Sequence, residues 1–218
     1  MDPSRLPIDA LGGEPAIDPV FLTAESLRAR FARLRLVWEP ETPDESWVTP
    51  GFKLRRAAVL IPIVERPDGL SVLLTLRTDH LSSHAGQIAF PGGRAEELDS
   101  SPIETALRES EEEIGLHRRH VSIVGVLPDY VTGSAYRVAP VVALVQPPFD
   151  LIADPNEVAE IFEVPLAFLM NGMHHQRMSV DLPEGKGRRS FYAMPYERFF
   201  IWGATAGMLR NLFHFLRA

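Results

Sequence analysis

Four glutamates crowd five consecutive positions in Arg108-Glu-Ser-Glu-Glu-Glu-Ile-Gly115, with one arginine beside them. On a helix, Glu109, Glu112 and Glu113 fall at i, i+3 and i+4, so their carboxylates share a face. Like charges at that spacing destabilise a helix by roughly a few tenths of a kcal/mol per pair. A charge run of this kind is ordinarily a solvated face. The alternative is a hard-metal site, because carboxylate oxygens select Mg²⁺ or Mn²⁺ and the cation removes the repulsion.

The residues upstream favour the second reading. Phe90-Pro-Gly-Gly93 ends a predicted strand and opens a loop leading to Arg108, and paired glycines let backbone approach a ligand closely. Gly93, Arg108, Glu109, Glu112, Glu113 and Gly115 together resemble the Nudix box of the Nudix hydrolases. Two departures stand out. Asp99 occupies the place of a glutamate, one residue further from Arg108 than usual, and Ser110 replaces an aliphatic residue. The aspartate and the extra residue also occur in the coenzyme A pyrophosphatase branch. Leu73-Leu-Thr-Leu-Arg77, Gly86 and Phe90-Pro-Gly-Gly93 are similar to that branch's preceding motif. So are Thr132, Ser134, Tyr136, Val138 and Pro140, and Trp202-Gly-Ala-Thr-Ala206. Thr78 and Ser82 depart from the motif, the latter where it has a second arginine.

The resemblance implies a Nudix fold, an α/β (α+β) arrangement in which an α/β/α sandwich with a mixed sheet carries a loop–helix–loop. It implies Glu109, Glu112 and Glu113 as ligands of Mg²⁺ or Mn²⁺, with Arg108 orienting them. Glu157 is a candidate further ligand or base. Arg77, His84, Gly92, Gly93 and Lys186 are candidate substrate contacts, Lys186, Arg188 or Arg189 standing in for the arginine absent at Ser82. The implied reaction cleaves the pyrophosphate of coenzyme A or an acyl derivative. Another diphosphate (ADP-ribose, a dinucleotide, a nucleoside triphosphate) or a non-catalytic nucleotide-binding regulator are the alternatives.

The elements that must hold these residues are legible in outline. Residues 102–114 read as a helix, with Pro102 in the first turn, Ala106, Leu107, Ser110 and Ile114 as its buried stripe, and Gly115 as its stop. Strands are expected over 56–64 and 70–77 around the turn at 66–69, then over 87–90, 121–127, 138–145 and 158–164. A hairpin is expected from 175–182 and 189–194, and a closing helix over 204–216. Residues 1 to about 20 read as a loose arm, 23–36 as an amphipathic helix and 39–51 as a linker. The division is an N-terminal extension over 1–52 and a catalytic domain over 53–218. Helix 23–36 could be a homodimer contact or a cover for the sheet. Trp38 and Trp47 are expected to pack the extension on the domain, and His174-His175 to form a turn.

Composition bounds the partners. The chain has 218 residues, 45% of them hydrophobic, which suits one packed core. A net charge of -7 argues against nucleic acid, and the absence of cysteine excludes thiolate metal sites and disulfides. A start rich in acids and prolines and the lack of a long apolar run point to a cytoplasmic protein acting on a small phosphorylated molecule, without nucleic acid or membrane.

Overall fold

The computed structural model describes residues 3–33, 38–41, 54–81, 84–181 and 187–218. Its centre is an eight-stranded mixed sheet. Strands β2 (Arg55–Arg66) and β3 (Gly69–Arg77) form an antiparallel hairpin, and β2 also runs parallel to β8 (Tyr136–Val145), from Arg55 opposite Tyr136 to Val64 opposite Val145. Strand β6 (Val121–Val126) flanks β8, and β9 (Val158–Pro165) pairs with β3. Three short strands complete the sheet: β4 (Ile88–Ala89) on β3, β5 (Gly92–Arg94) on β2, and β7 (Tyr130–Val131) on β8.

Both faces of the sheet are covered, as the apolar runs of β2 and β8 require. On one face Ala139, Val141, Ala143 and Val145 of β8 join Ala58, Leu60 and Val64 of β2 beneath helix α2 (Pro102–Ile114). The alternate residues Val142 and Leu144, with Ile61 and Ile63, face helices α1 (Ala24–Phe31) and α4 (Gly203–Arg217). The period-two alternation of side chains thus builds two cores on one sheet. A second sheet, in the order β1-β10-β11-β12, lies on the α4 side: β1 (Ile8–Leu11), β10 (Gln176–Asp181), β11 (Arg188–Tyr196) and β12 (Phe199–Trp202). The short helix α3 (Leu166–Leu169) links β9 to it. Among the described residues no helix is long and apolar enough to cross a membrane.

Several expectations are corrected. The first twenty residues are not a loose arm throughout: Ile8–Leu11 pairs with β10, and Gly12 N–H donates to His175 O at 2.7 Å. Helix α1 starts after Thr23, whose hydroxyl accepts from Ser26 N, and ends at Phe31; Leu34 and Leu36 lie outside the described residues. The glycines of Phe90-Pro-Gly-Gly93 do not open a loop but enter β5, where Gly93 sits opposite Ala58. His174-His175 does close a turn, His175 N–H donating to Gly172 O at 3.1 Å, but the His175 side chain is no surface group. It is fully buried, its Nε2 hydrogen-bonded to Leu169 O at 2.7 Å and its ring edge-on to Phe213. Trp38 meets Phe215 edge-on, while Trp47 and most of the expected linker lie outside the described residues.

Candidate active site

Helix α2 runs from Pro102 to Ile114 as its sequence dictates. Ser101 caps it through its hydroxyl on Glu104 N, and Gly115 ends it at φ 67°, a left-handed conformation that favours glycine. Thr105, Ala106, Leu107, Ser110 and Ile114 are buried. Seating that stripe on the sheet carries Glu113 to Gly92 of β5 and to Arg77 at the end of β3.

Glu113 is the most enclosed of the glutamates, only 3% exposed. One oxygen accepts from Gly92 N–H at 3.1 Å and the other from Arg77 at 3.4 Å. Burial outweighs both partners and pushes its pKa up to about 7, with the neighbouring charges of Glu109 and Glu157 adding to the rise. Glu109 lies against Gly93 so closely that a Cβ there would sit 2.6 Å from its carboxyl carbon. Its pKa is also raised, by burial first and by Glu112 and Glu157, against the opposing pull of Arg108. Arg77 spans Glu113 and Glu157, the latter at 3.7 Å, and its buried Nε has no hydrogen-bond partner among the described residues.

Arg108 is the other organiser. It forms a two-pronged bond to Asp99 (3.1 and 3.0 Å), contacts Glu109 at 3.0 Å and Glu112 at 2.9 Å, and donates to Arg94 O. Asp99 also accepts from Glu96 N and the Thr105 hydroxyl, and the Arg108 guanidinium holds its carboxyl well below the usual carboxylate range. Asp99 was legible only as a departure from the box. Its role as the anchor of Arg108 follows from the fold.

The structure therefore brings together Arg77, Gly92, Gly93, Arg108, Glu109, Glu112, Glu113 and Glu157. His84 is exposed, and its Nδ1 pairs with Gln87 at 2.9 Å. Glu160 sits with Arg198 rather than with the other glutamates. Arg188 is committed to Asp9 and Ser179, so it is tied to the β1–β10 edge rather than free to replace the missing arginine. Ser82 and Lys186 lie outside the described residues.

A family model described as NUDIX domain matches residues 54–180. The chain is also 40% identical over 192 residues to the protein called "Uncharacterized Nudix hydrolase NudL" from Escherichia coli K12, covering 88% of this chain and 93% of the relative.

This chain is a Nudix hydrolase.

Solved structures resemble the Nudix hydrolase over half its length. They include a C. elegans Ap4A hydrolase binary complex (17% identity, TM-score 0.45, 50% of this chain and 80% of that one). Another is the MutT protein from Methanosarcina mazei Go1 (21% identity, TM-score 0.44, 55% and 84%).

The donor chemistry of the Nudix hydrolase fits a divalent cation. All its candidate ligands are carboxylates, and burial, with their mutual repulsion adding to it, already pushes Glu109 and Glu113 toward protonation, which a hard cation would reverse. Among the described residues, no three carboxylates or imidazoles converge into a finished ligand set. Each glutamate is instead held by a fixed donor: Glu112 by Arg108, and Glu113 by Gly92 and Arg77.

Proposed function

We propose that this Nudix hydrolase cleaves the pyrophosphate of coenzyme A or an acyl-coenzyme A, releasing 3′,5′-ADP and a 4′-phosphopantetheine species. Glu109, Glu112 and Glu113 hold Mg²⁺ or Mn²⁺, which when bound neutralises phosphate charge and acidifies a water. Arg108, braced by Asp99, fixes Glu109 and Glu112 at the helix face. Gly93 lets the Glu109 carboxylate lie directly against β5, Gly92 N–H holds Glu113, and Arg77 orients the phosphate beside them. Glu157, across Arg77, serves as a further ligand or takes the proton of the attacking water. His84 and Lys186 belong to the proposal as outer phosphate contacts.

One observation supports this reading most. Arg77, paired with Glu113 and Glu157 beside the two-glycine strand, has a buried Nε–H without an acceptor among the described residues. An unmet buried donor is unfavourable by about 1–3 kcal/mol, which an anionic oxygen ligand would relieve. The coenzyme A assignment rests on the motif from Leu73 to Gly93. Ser82, in place of that motif's second arginine, favours a different nucleoside diphosphate derivative as the second reading.

The test is hydrolysis of coenzyme A, dephospho-coenzyme A, ADP-ribose, a dinucleotide and dNTPs with Mg²⁺ or Mn²⁺, by wild type and Glu112→Gln. We expect metal-dependent cleavage of coenzyme A to dominate and the variant to lose at least about a hundredfold in kcat, as for removal of a transition-state charge partner. Preference for another diphosphate would overturn the substrate and keep the chemistry.

A further inference from the structure

A cavity of about 400 Å³ lies between the facing edges of the two sheets, at β4 and β12. It falls within the range of small-molecule sites. Its apolar wall is Leu76, Ile88, Phe200 and Trp202, and its polar groups include Gln87 and Arg198. The glutamates are not part of it. Leu76 packs with the α4-side core, while the next residue, Arg77, reaches Glu113 on the α2 side. Cavity and active site are thus on opposite faces of one strand end and meet at its rim. There Arg77 N–H donates to Gln87 O at 2.9 Å and Gly86 N–H to Thr78 O at 3.4 Å.

The lining indicates what it takes. Arg198, the cation among its described lining residues, is ion-paired with Glu160, so its charge is already offset by a carboxylate. The cavity also offers no stacking slot for a base at Phe199, whose ring lies 3.6 Å from Phe162 and also carries the Arg198 guanidinium. What it offers is apolar surface and amide groups. Strand β12 is the edge of its sheet, joined to β11 by the two-residue turn Glu197-Arg198. In such a hairpin Tyr196 and Phe199 form the hydrogen-bonded closing pair, so the backbone groups of Phe200 and Trp202 face outward. The side-chain amide of Gln87 is a further amide group in the lining.

We propose that this cavity binds the uncharged, amide-bearing arm of the pyrophosphate substrate, while the nucleotide half and the scissile bond stay on the glutamate face. The arm rounds the rim at Gly86–Gln87 and lies along β12. This rests on the coenzyme A reading above and adds the place where the substrate's second half is recognised.

Two measurements test it. The first compares kcat/KM for coenzyme A with that for the methyl ester of ADP, which has the phosphoanhydride but no arm, in wild type, Phe200→Glu and Phe200→Tyr. The ratio of the two should fall roughly tenfold in Phe200→Glu, the scale of losing one good pocket contact, and recover in Phe200→Tyr. The second follows the ¹⁹F resonance of Trp202 in 5-fluorotryptophan-labelled protein, assigned with Trp202→Phe, as pantetheine is added. A saturable shift is expected. Coenzyme A cleaved with an unchanged ratio and a static Trp202 signal would overturn the subsite and leave the function standing. A shift without coenzyme A cleavage would uphold the subsite and overturn the substrate. Neither effect would overturn both.

Discussion

Glu113 shows how one side chain acquires a property its type does not predict. A glutamate on an exposed helix face stays ionised at neutral pH. Here burial, with Glu109 and Glu157 close by, lifts its pKa to about 7 despite the donors Gly92 N–H and Arg77. In the metal-free protein the native state then keeps a proton that the unfolded chain has lost above its ordinary value of 4.5. Stability should therefore fall as pH rises from about 4.5 to about 7, by on the order of 3 kcal/mol, and level off above. Thermal unfolding in the presence of a chelator should show that slope, and Glu113→Gln should flatten it. A slope of the same size in the variant would show that some other group carries it.

At the scale of elements, the site depends on how tightly α2 is pressed onto β5. At Gly93 the two are in close contact, since a methyl group there would lie within 2.7 Å of both Glu109 carboxylate oxygens. The strand cannot retreat, being hydrogen-bonded to β2. Gly93→Ala should consequently displace the Glu109 side chain while leaving the fold in place. We expect Mn²⁺ affinity, measured by EPR or calorimetry, to drop by about tenfold or more with a melting temperature within a few degrees of wild type; unaltered affinity would contradict this. The Asp99–Arg108 bond is a second such device, fastening the loop after β5 to the helix. Asp99→Asn keeps the shape but removes the charge, so it should loosen Arg108 from Glu109 and Glu112. Asp99→Ala should be destabilising by about 3 kcal/mol in chemical denaturation, because it leaves a largely enclosed guanidinium without its main partner.

The whole molecule is tied together on the face opposite the glutamates. Arg210 of α4 is 4% exposed and binds Glu14 with both terminal nitrogens, Glu41 through Nε at 3.1 Å and His175 Nδ1 at 3.0 Å. Asn211 bonds the Glu41 backbone at both N–H and C=O, and His214 bonds the Glu41 carboxylate. The N-terminal segment is thereby strapped across α4. Burial drives the His175 pKa down to about 4, so the native ring stays neutral where the unfolded one is protonated. Stability from this group should decline as pH drops from about 6.5 toward 4, opposite in sign to Glu113, and His175→Gln should remove that decline. Arg210→Ala should be destabilising by about 3 kcal/mol or more and render the N-terminal segment susceptible to limited proteolysis; a protected segment would contradict the strap.

What the sequence determined by itself is local and periodic. Helix α2 is read to its boundaries because its proline, buried stripe and closing glycine all act within a few residues, and the three aligned glutamates follow from 3.6 residues per turn. The long strands follow from apolar runs that only a sheet covered on both faces can bury. Tertiary structure decided the rest, because the forces involved join residues far apart in the chain. Ile8–Leu11 carries too weak an alternation to announce a strand and becomes one through the edge of β10. Gly92–Arg94 has no strand propensity and is held by β2. The pairing of Arg77 with Glu113, the anchoring of Arg108 by Asp99 and the burial of His175 depend on which face each element presents. That is fixed by packing the two cores, since a buried charge or ring persists only where folding supplies its partner.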